Sequence, residues 1–216
     1  MLKVTDAVRE ILKSSEVALS AYNEGYLNLS AYAASIHSEV EKRVRKTVQV
    51  GTIVVALSRM SNSLESEGPL LPKLKLDSIS VKTGLIELAF DKSKLNRDRL
   101  QKLYQDPDFI DCDYFAVTHG IGELSIVVPE ALKKNLLKIF AKQTPKLVLE
   151  NLASLTVKFN DKCIFTPNVT YSIIRMLALK RINILETIST FTELTFILDQ
   201  KDLQEAFAIL SNSLRR

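Results

Sequence analysis

Two stretches of this chain, GELSIVVPEALKKNLLKIF and TELTFILDQKDLQEAFAIL, run in parallel without a gap. Glu123, Leu124 and Ser125 match Glu193, Leu194 and Thr195, and three branched or aromatic apolar residues follow in each. Leu137 then corresponds to Phe207, and Phe140 to Leu210. Upstream at the same offset, Leu103 and Tyr104 fall opposite Ile173 and Ile174. Equal length and equal element order over two halves predict a duplicated structural unit.

Each half reads strand, helix, strand, strand, helix. In the second, LASLTVKF alternates as a strand and VTYSIIRMLALKR places Val169, Ile173 and Leu177 on one helical face. NILETIST and ELTFILD follow as strands, with Ile184, Glu186 and Ile188 predicted on one side and Leu185, Thr187 and Ser189 on the other. Leu203, Ala206, Phe207 and Leu210 line the last helix. In the first half, DSISVKTGLIELAF is a strand pattern interrupted by a turn or bulge at Thr83–Gly84. Helices packed on one face of an antiparallel sheet give an α+β sandwich. The chain ends soon after the last helix, so the second unit is expected to borrow its fourth strand from PKLKLDSIS.

Residues 3 to 65 read differently. Val4, Ala7, Val8, Ile11 and Leu12 repeat at helical spacing behind Thr5 and Asp6, which suit an N-cap. AYNEGYLN holds Gly25 and predicts a turn or a short second helix. Ser30 is placed to cap a helix with the stripe Tyr32, Ala33, Ile36, Val40 and Val44. A third pattern after Gly51 uses Ile53, Ala56, Leu57, Met60 and Leu64. SNSLESEGPLLPKLK, with Gly68, Pro69 and Pro72, reads as a domain boundary. The expectation is therefore α+β: a three-helix, helix-turn-helix-like domain over 1–67, then two ferredoxin-like βαββαβ units over 73–150 and 151–216.

Within the second unit, TPNVTYSIIRMLALKRINILETIST and TELTFILD together resemble the ACT domain, most of all the regulatory units of aspartate kinases. The pattern falls on Pro167, Asn168, Val169, Ile182, Asn183, Ile184, Ser189, Glu193, Leu194 and Phe196. It is strong from about Leu152 to Leu210 and weaker from about Leu76 to Leu149, where LAFDKSKLNRDRL lacks a glycine or proline turn. Thr166 and Pro167 also replace the family's usual glycine. The resemblance implies a small-metabolite sensor, most often of free amino acids, that pairs side by side as a homodimer.

It also implies a ligand site at Thr166, Pro167, Asn168, Val169 and Thr170, faced by Asn183 and Ile184. Backbone N–H groups and the dipole at a helix start attract a carboxylate. The plain alternative is that Asn168 caps the helix and Asn183 opens a strand.

GTIVVALSRM resembles the third helix of winged-helix transcription regulators of the PadR type, through Gly51, Thr52, Ile53, Ala56, Leu57, Arg59 and Met60. The resemblance implies a DNA contact by Thr52 and Arg59, with Val55, Ser58 and Asn62 also outward. Lys42, Arg43, Arg45 and Lys46 are then the phosphate-binding cluster. The same cluster suits a helix C-terminus, and Glu39 and Glu41 lie beside it, so docking of a protein partner stands as the rival reading.

Net charge is only +4 over 216 residues, which does not by itself announce nucleic acid. Cys112 and Cys163, like His37 and His119, are too scattered for a metal site or a disulfide framework, and no cofactor is expected. No glycine-rich phosphate loop, nucleophile elbow or zinc helix is present, so no catalytic residue is assigned. THGIGE, with His119 near Glu123, reads as a hairpin turn whose glycines supply unusual backbone angles. No apolar run is long enough to span a bilayer, and MLKVTDAVREILK lacks the parts of a secretory signal, so a cytoplasmic location is expected.

Overall fold

The computed structural model describes residues 2–60, 71–72, 75–141 and 143–212, without the side chains of residues 94, 95 and 97. The chain divides into two compact units, Met1–Leu71 and Pro72–Arg216.

The first unit holds four helices among its described residues rather than three: α1 (Val4–Lys13), α2 (Glu16–Asn23), α3 (Leu29–Val44) and α4 (Val50–Arg59). The extra helix arises at a serine pair. Ser14 bonds back to the Ile11 carbonyl at 2.7 Å, closing α1, while the Ser15 hydroxyl accepts the Ala18 N–H and opens α2. Three other expectations are corrected or completed here. Lys3, not Thr5 or Asp6, precedes α1, and Asp6 lies inside its first turn, where it complements the dipole. Asn28, not Ser30, caps α3 by accepting the Ala31 N–H. No strand occurs within residues 2–60, so these residues carry no wing. Ala7, Val8, Ile11 and Leu12 of α1 meet Ala33, Ile36, Val40 and Val44 of α3 and Ile53, Ala56 and Leu57 of α4 in one buried cluster. Leu64 and Asn62 lie outside the described residues, as does most of the boundary segment.

The second unit is built on β1 (Leu76–Asp91), β2 (Ala116–His119), β3 (Glu123–Pro129), β4 (Leu147–Phe159), β5 (Glu186–Ser189) and β6 (Glu193–Asp199). They form one antiparallel sheet in the order β2-β3-β1-β4-β6-β5. Between β1 and β2 lie α5 (Lys94–Leu103) and the short α6 (Pro107–Ile110); α7 (Lys133–Ile139) follows β3. In the second half α8 (Val169–Ala178) and α9 (Leu203–Ser211) take the corresponding places.

The repeat read from the sequence holds to the residue in the hairpins. His119 pairs with Leu124 and Ser189 with Leu194; Ala116 pairs with Val127 and Glu186 with Ile197. Even the turns agree: Gly120 N–H donates to the Glu123 carbonyl and Thr190 N–H to that of Glu193, both at 2.9 Å. Neither Gly120 nor Gly122 has a positive φ, so the glycines of THGIGE do not serve the unusual angles expected of them.

The two long strands are shared. Leu85–Asp91 pairs with β3, whereas Leu76 and Ser78–Lys82 pair with Lys158, Phe159 and their neighbours on β4, which supplies the borrowed edge. Reciprocally, β4 is longer than LASLTVKF suggests, because Leu147–Leu149 pairs back onto Glu87–Ala89. It crosses the expected boundary between residues 150 and 151 as one strand. Both strands change register near left-handed residues, Gly84 at φ 67° and Asn151 at φ 56°. Thr83–Gly84 is therefore a bulge and not a turn.

Alternate residues then serve two faces. Ile86, Leu88, Phe90, Ile126 and Val128 join Leu100, Leu103, Leu136 and Phe140 of the helical segments in one core. Leu155, Val157, Phe196 and Leu198 join Ile173, Leu177, Ala206 and Leu210 in another. On the opposite face, Leu85, Val127, Leu152 and Ile197 are buried against one another, with Tyr114, Ala116, Leu149 and Ile188 around them. A sheet whose non-helical face is dry must fold over on itself, and the two bulges lie where it bends.

Candidate ligand site

The connection between β4 and α8 is the most irregular piece of the second half. Asn160 Oδ1 accepts the Lys162 N–H and opens a short 3-10 turn, Asp161–Phe165; Thr166 N–H then bonds to the Cys163 carbonyl at 3.0 Å. Asn168 precedes α8 in the left-handed region, φ 66° and ψ 12°, a conformation that Asn tolerates better than other side chains. Its side chain makes no cap to a helix N–H, which removes the plain alternative of a side-chain N-cap. Its carbonyl instead accepts both the N–H and the hydroxyl of Ser172, each at 2.8 Å.

A hollow of about 400 Å³ opens beside this helix start. Thr166, Asn168, Val169 and Thr170, all singled out in the sequence, line it. Pro167 is exposed in the same turn but does not line it. Asn183 and Ile184 are not brought to it: Asn183 is exposed, and Ile184 packs into the helix-side core. The reason is where β5 begins. The strand starts at Glu186, so the alternation expected from Ile184 onward applies only from there, and Ile184 and Ile188 end on opposite faces.

The far wall comes from Ser189, Thr190 and Phe191, none of them among the expected site residues although Ser189 and Thr190 end the expected strand NILETIST, with Cys163 and Ile164 from the 3-10 turn. The hairpin repeat carried the signal for them. His119, exposed, stands at the position equivalent to Ser189 and borders a matching hollow of about 390 Å³ with Leu100, Gln101, Tyr104 and Gln105. The walls mix apolar rings with hydroxyls and amides, and no carboxylate, lysine or arginine is among the side chains named in either. Such a lining suits a small polar molecule held by backbone and hydroxyl groups.

In the first unit the basic residues separate into two kinds. Arg43 spans Glu39, at 2.5 and 3.0 Å, and Glu10 of α1 at 3.2 Å, so its charge ties α3 to α1. Lys42, Arg45 and Lys46 are exposed, with Arg45 left-handed at φ 55° where α3 stops. Thr52, Val55, Ser58 and Arg59 are exposed on α4. Among the described residues no group of His, Cys, Asp and Glu is placed to hold a metal ion, and Cys112 and Cys163 are free thiols. No described helix is long and apolar enough to cross a membrane.

No protein-family model matches the chain, and no curated protein sequence matches it. Solved structures do match in fold. The aspartate kinase of Clostridium acetobutylicum, an allosteric enzyme, superposes with a TM-score of 0.55 at 15% identity over 68% of this chain and 37% of that one. The α and β subunits of an aspartokinase give 0.52 at 16% identity, covering 65% of this chain and 99% of the other. The regulatory subunit of aspartate kinase from Thermus flavus gives 0.53 at 9% identity, covering 64% and 98%. This chain spans little more than a third of the Clostridium enzyme but nearly all of the Thermus regulatory subunit. The α+β fold is that of aspartate kinase regulatory regions.

Proposed function

We propose that this chain is a non-catalytic, amino-acid-sensing regulatory protein, with two ferredoxin-like units of the ACT type as its sensor. The observation that carries the reading is the hollow at the start of α8, where Thr166, Asn168 and Thr170 face the hairpin tip Ser189–Phe191. A free amino acid would place its carboxylate at the helix start and its side chain against Phe191 and Ile164. Exposed Phe165, Phe191 and Ile164 in one half, and Ile121, Ile110 and Tyr104 in the other, favour pairing with a second copy of the chain. Effector binding would then act by its different affinity for two arrangements of that pair.

The helical first unit is the output. In the first version it meets DNA through Thr52 and Arg59, with Lys42, Arg45 and Lys46 on phosphates. A second version, docking of a protein, gains support from Arg43, whose charge is already met by Glu39 and Glu10. The exposed Val17, Tyr26 and Val55 support it too.

A thermal-shift screen with single free amino acids tests the sensor. One of them raises the melting temperature of the full chain, and Thr170→Glu, which fills the hollow with a charge, abolishes the shift. Failure of every amino acid to stabilise the protein overturns the reading. Titration with bulk duplex DNA at several salt concentrations separates the outputs, since only DNA binding gives a steep salt slope.

A further inference from the structure

The folded-over face of the sheet holds a polar network among its apolar residues. Glu87 of β1 is 7% exposed. Its Oε1 lies 2.6 Å from the Ser125 hydroxyl of β3, and that hydroxyl lies 3.4 Å from Glu186 Oε2 of β5. The other Glu186 oxygen accepts the Thr118 hydroxyl of β2 at 2.7 Å. β2 and β5 are opposite edges of the sheet, so this chain of contacts links strands that share no backbone pairing.

Hydrogen counting makes the network depend on a proton. Ser125 has one hydroxyl hydrogen and stands between two carboxylates. With both ionised, it donates to one, and the other faces its lone pairs. With one proton added at Glu87, the acid donates to Ser125 and Ser125 donates to Glu186, so both contacts are satisfied. Among the described residues no cation pairs with either carboxylate. The charged or titratable groups that face them are each other and the Tyr114 phenol from the segment ahead of β2. Lys82 of β1 is tied to Asp113, and Lys146 to Asp91 and Glu123.

We propose that Glu87, Ser125 and Glu186 form a proton-dependent latch that holds the two edges of the sheet together and releases them when both carboxylates ionise. Burial raises the Glu87 pKa first and the Glu186 charge adds to this, while the Ser125 bond opposes it. The sign follows. A carboxyl raised above its unfolded value favours the closed form below that value and loses the favour as pH rises through its folded pKa. None of Glu87, Ser125 and Glu186 lines the hollow beside α8.

Hydrogen exchange of the full chain tests it, with rates corrected for the intrinsic pH dependence of amide exchange. The segments 116–119 and 186–189 are compared with 152–158 of the central strand β4. In the wild type, protection of the edge segments falls by about ten-fold as pH is raised from below the ordinary carboxylate range to well above it, while the β4 segment stays constant. Glu87→Gln, whose amide donates to Ser125 without a charge, keeps the edges protected throughout. Glu186→Gln leaves Glu87 buried, so it reduces the fall without abolishing it, and it serves if Glu87→Gln does not fold. A flat wild-type profile, a fall that persists in Glu87→Gln, or a fall left unchanged in Glu186→Gln overturns the latch.

Discussion

The Thr118 hydroxyl donates to Glu186 at 2.7 Å, although their strands are the two outermost of a six-stranded sheet. Only a sheet folded onto its own bare face brings them that close. The fold therefore stacks helices, sheet, sheet and helices, with the bulged β1 and β4 passing through both sheet layers.

Tyr114 lies half-buried in that same face, and burial first, then the Glu186 charge, push its phenol up to about 12. The neutral phenol is favoured in the folded chain. Its contribution is fully present below the unfolded value, about pH 10, and is lost as pH rises through about 12. Tyr114→Phe should flatten the fall of melting temperature across that window. The wild-type minus Tyr114→Phe ultraviolet titration isolates this phenol, which is needed because burial also raises Tyr22 and Tyr32. Glu186→Gln should bring the transition only part of the way down, since burial is the larger cause.

This face is what the sequence conceals. The hairpins were legible because Glu123–Leu124–Ser125 and Glu193–Leu194–Thr195 sit at equivalent positions and pair alike. The helices before them were less so. Leu103 and Ile173 are both buried, but Leu103 ends α5 whereas Ile173 lies inside α8, because the second half has a longer connection and its own 3-10 turn. That turn builds one wall of the hollow and has no counterpart in the repeat. Nothing in the local pattern around Glu87, Ser125 and Glu186, the last expected on one side with Ile184 and Ile188, marks the three as neighbours. Glu87 is buried and Ser125 and Glu186 are half-buried, and their meeting follows from the fold-over of the sheet, a long-range event that local alternation does not encode.

Those two bulge residues give a clean backbone test. A Cβ added at Gly84 meets nothing within 4 Å, so Gly84→Ala should cost only the left-handed strain, about 1 kcal/mol. The Gly84 N–H donates to Gln200 Oε1 at 3.1 Å, and Gln200→Ala should add little at this exposed site. Asn151→Gly should be neutral within a few tenths of a kcal/mol or slightly stabilising, while Asn151→Ala should lose about 1 kcal/mol. Urea unfolding with unchanged m-values checks all four. Equal effects for Asn151→Gly and Asn151→Ala would contradict the assignment of strain.

Phe90 and Phe140 stack in the core of the first half, with ring centroids 4.4 Å apart at 19°, and both are fully buried. Phe90→Ala should cost about 3–5 kcal/mol, a large fraction of the stability of a domain this size. Phe140→Leu keeps most of the volume and should cost about 1.5 kcal/mol. Urea midpoints decide the ranking. If Phe140→Leu proves the worse of the two, packing volume is not what the pair supplies.

The link between α3 and α4 is held through both backbone groups of Val48, itself almost fully buried. Glu41 Oε1 accepts the Val48 N–H at 2.9 Å, and the His37 ring donates from Nε2 to the Val48 carbonyl at 2.6 Å. The connection needs this because Arg45 leaves α3 in the left-handed region, after which residues 46–48 belong to neither helix. Glu41→Ala strands a buried N–H and should cost about 1–3 kcal/mol, whereas Glu41→Gln keeps an oxygen acceptor and should recover most of it. The Val48 amide reports directly: its exchange protection should vanish in Glu41→Ala and survive in Glu41→Gln. The start of α4 carries Thr52, so loosening this link should also weaken the DNA or protein contact proposed for the α4 face. Loss of binding in Glu41→Ala with recovery in Glu41→Gln would show that the position of α4, not the charge of Glu41, is what that partner requires.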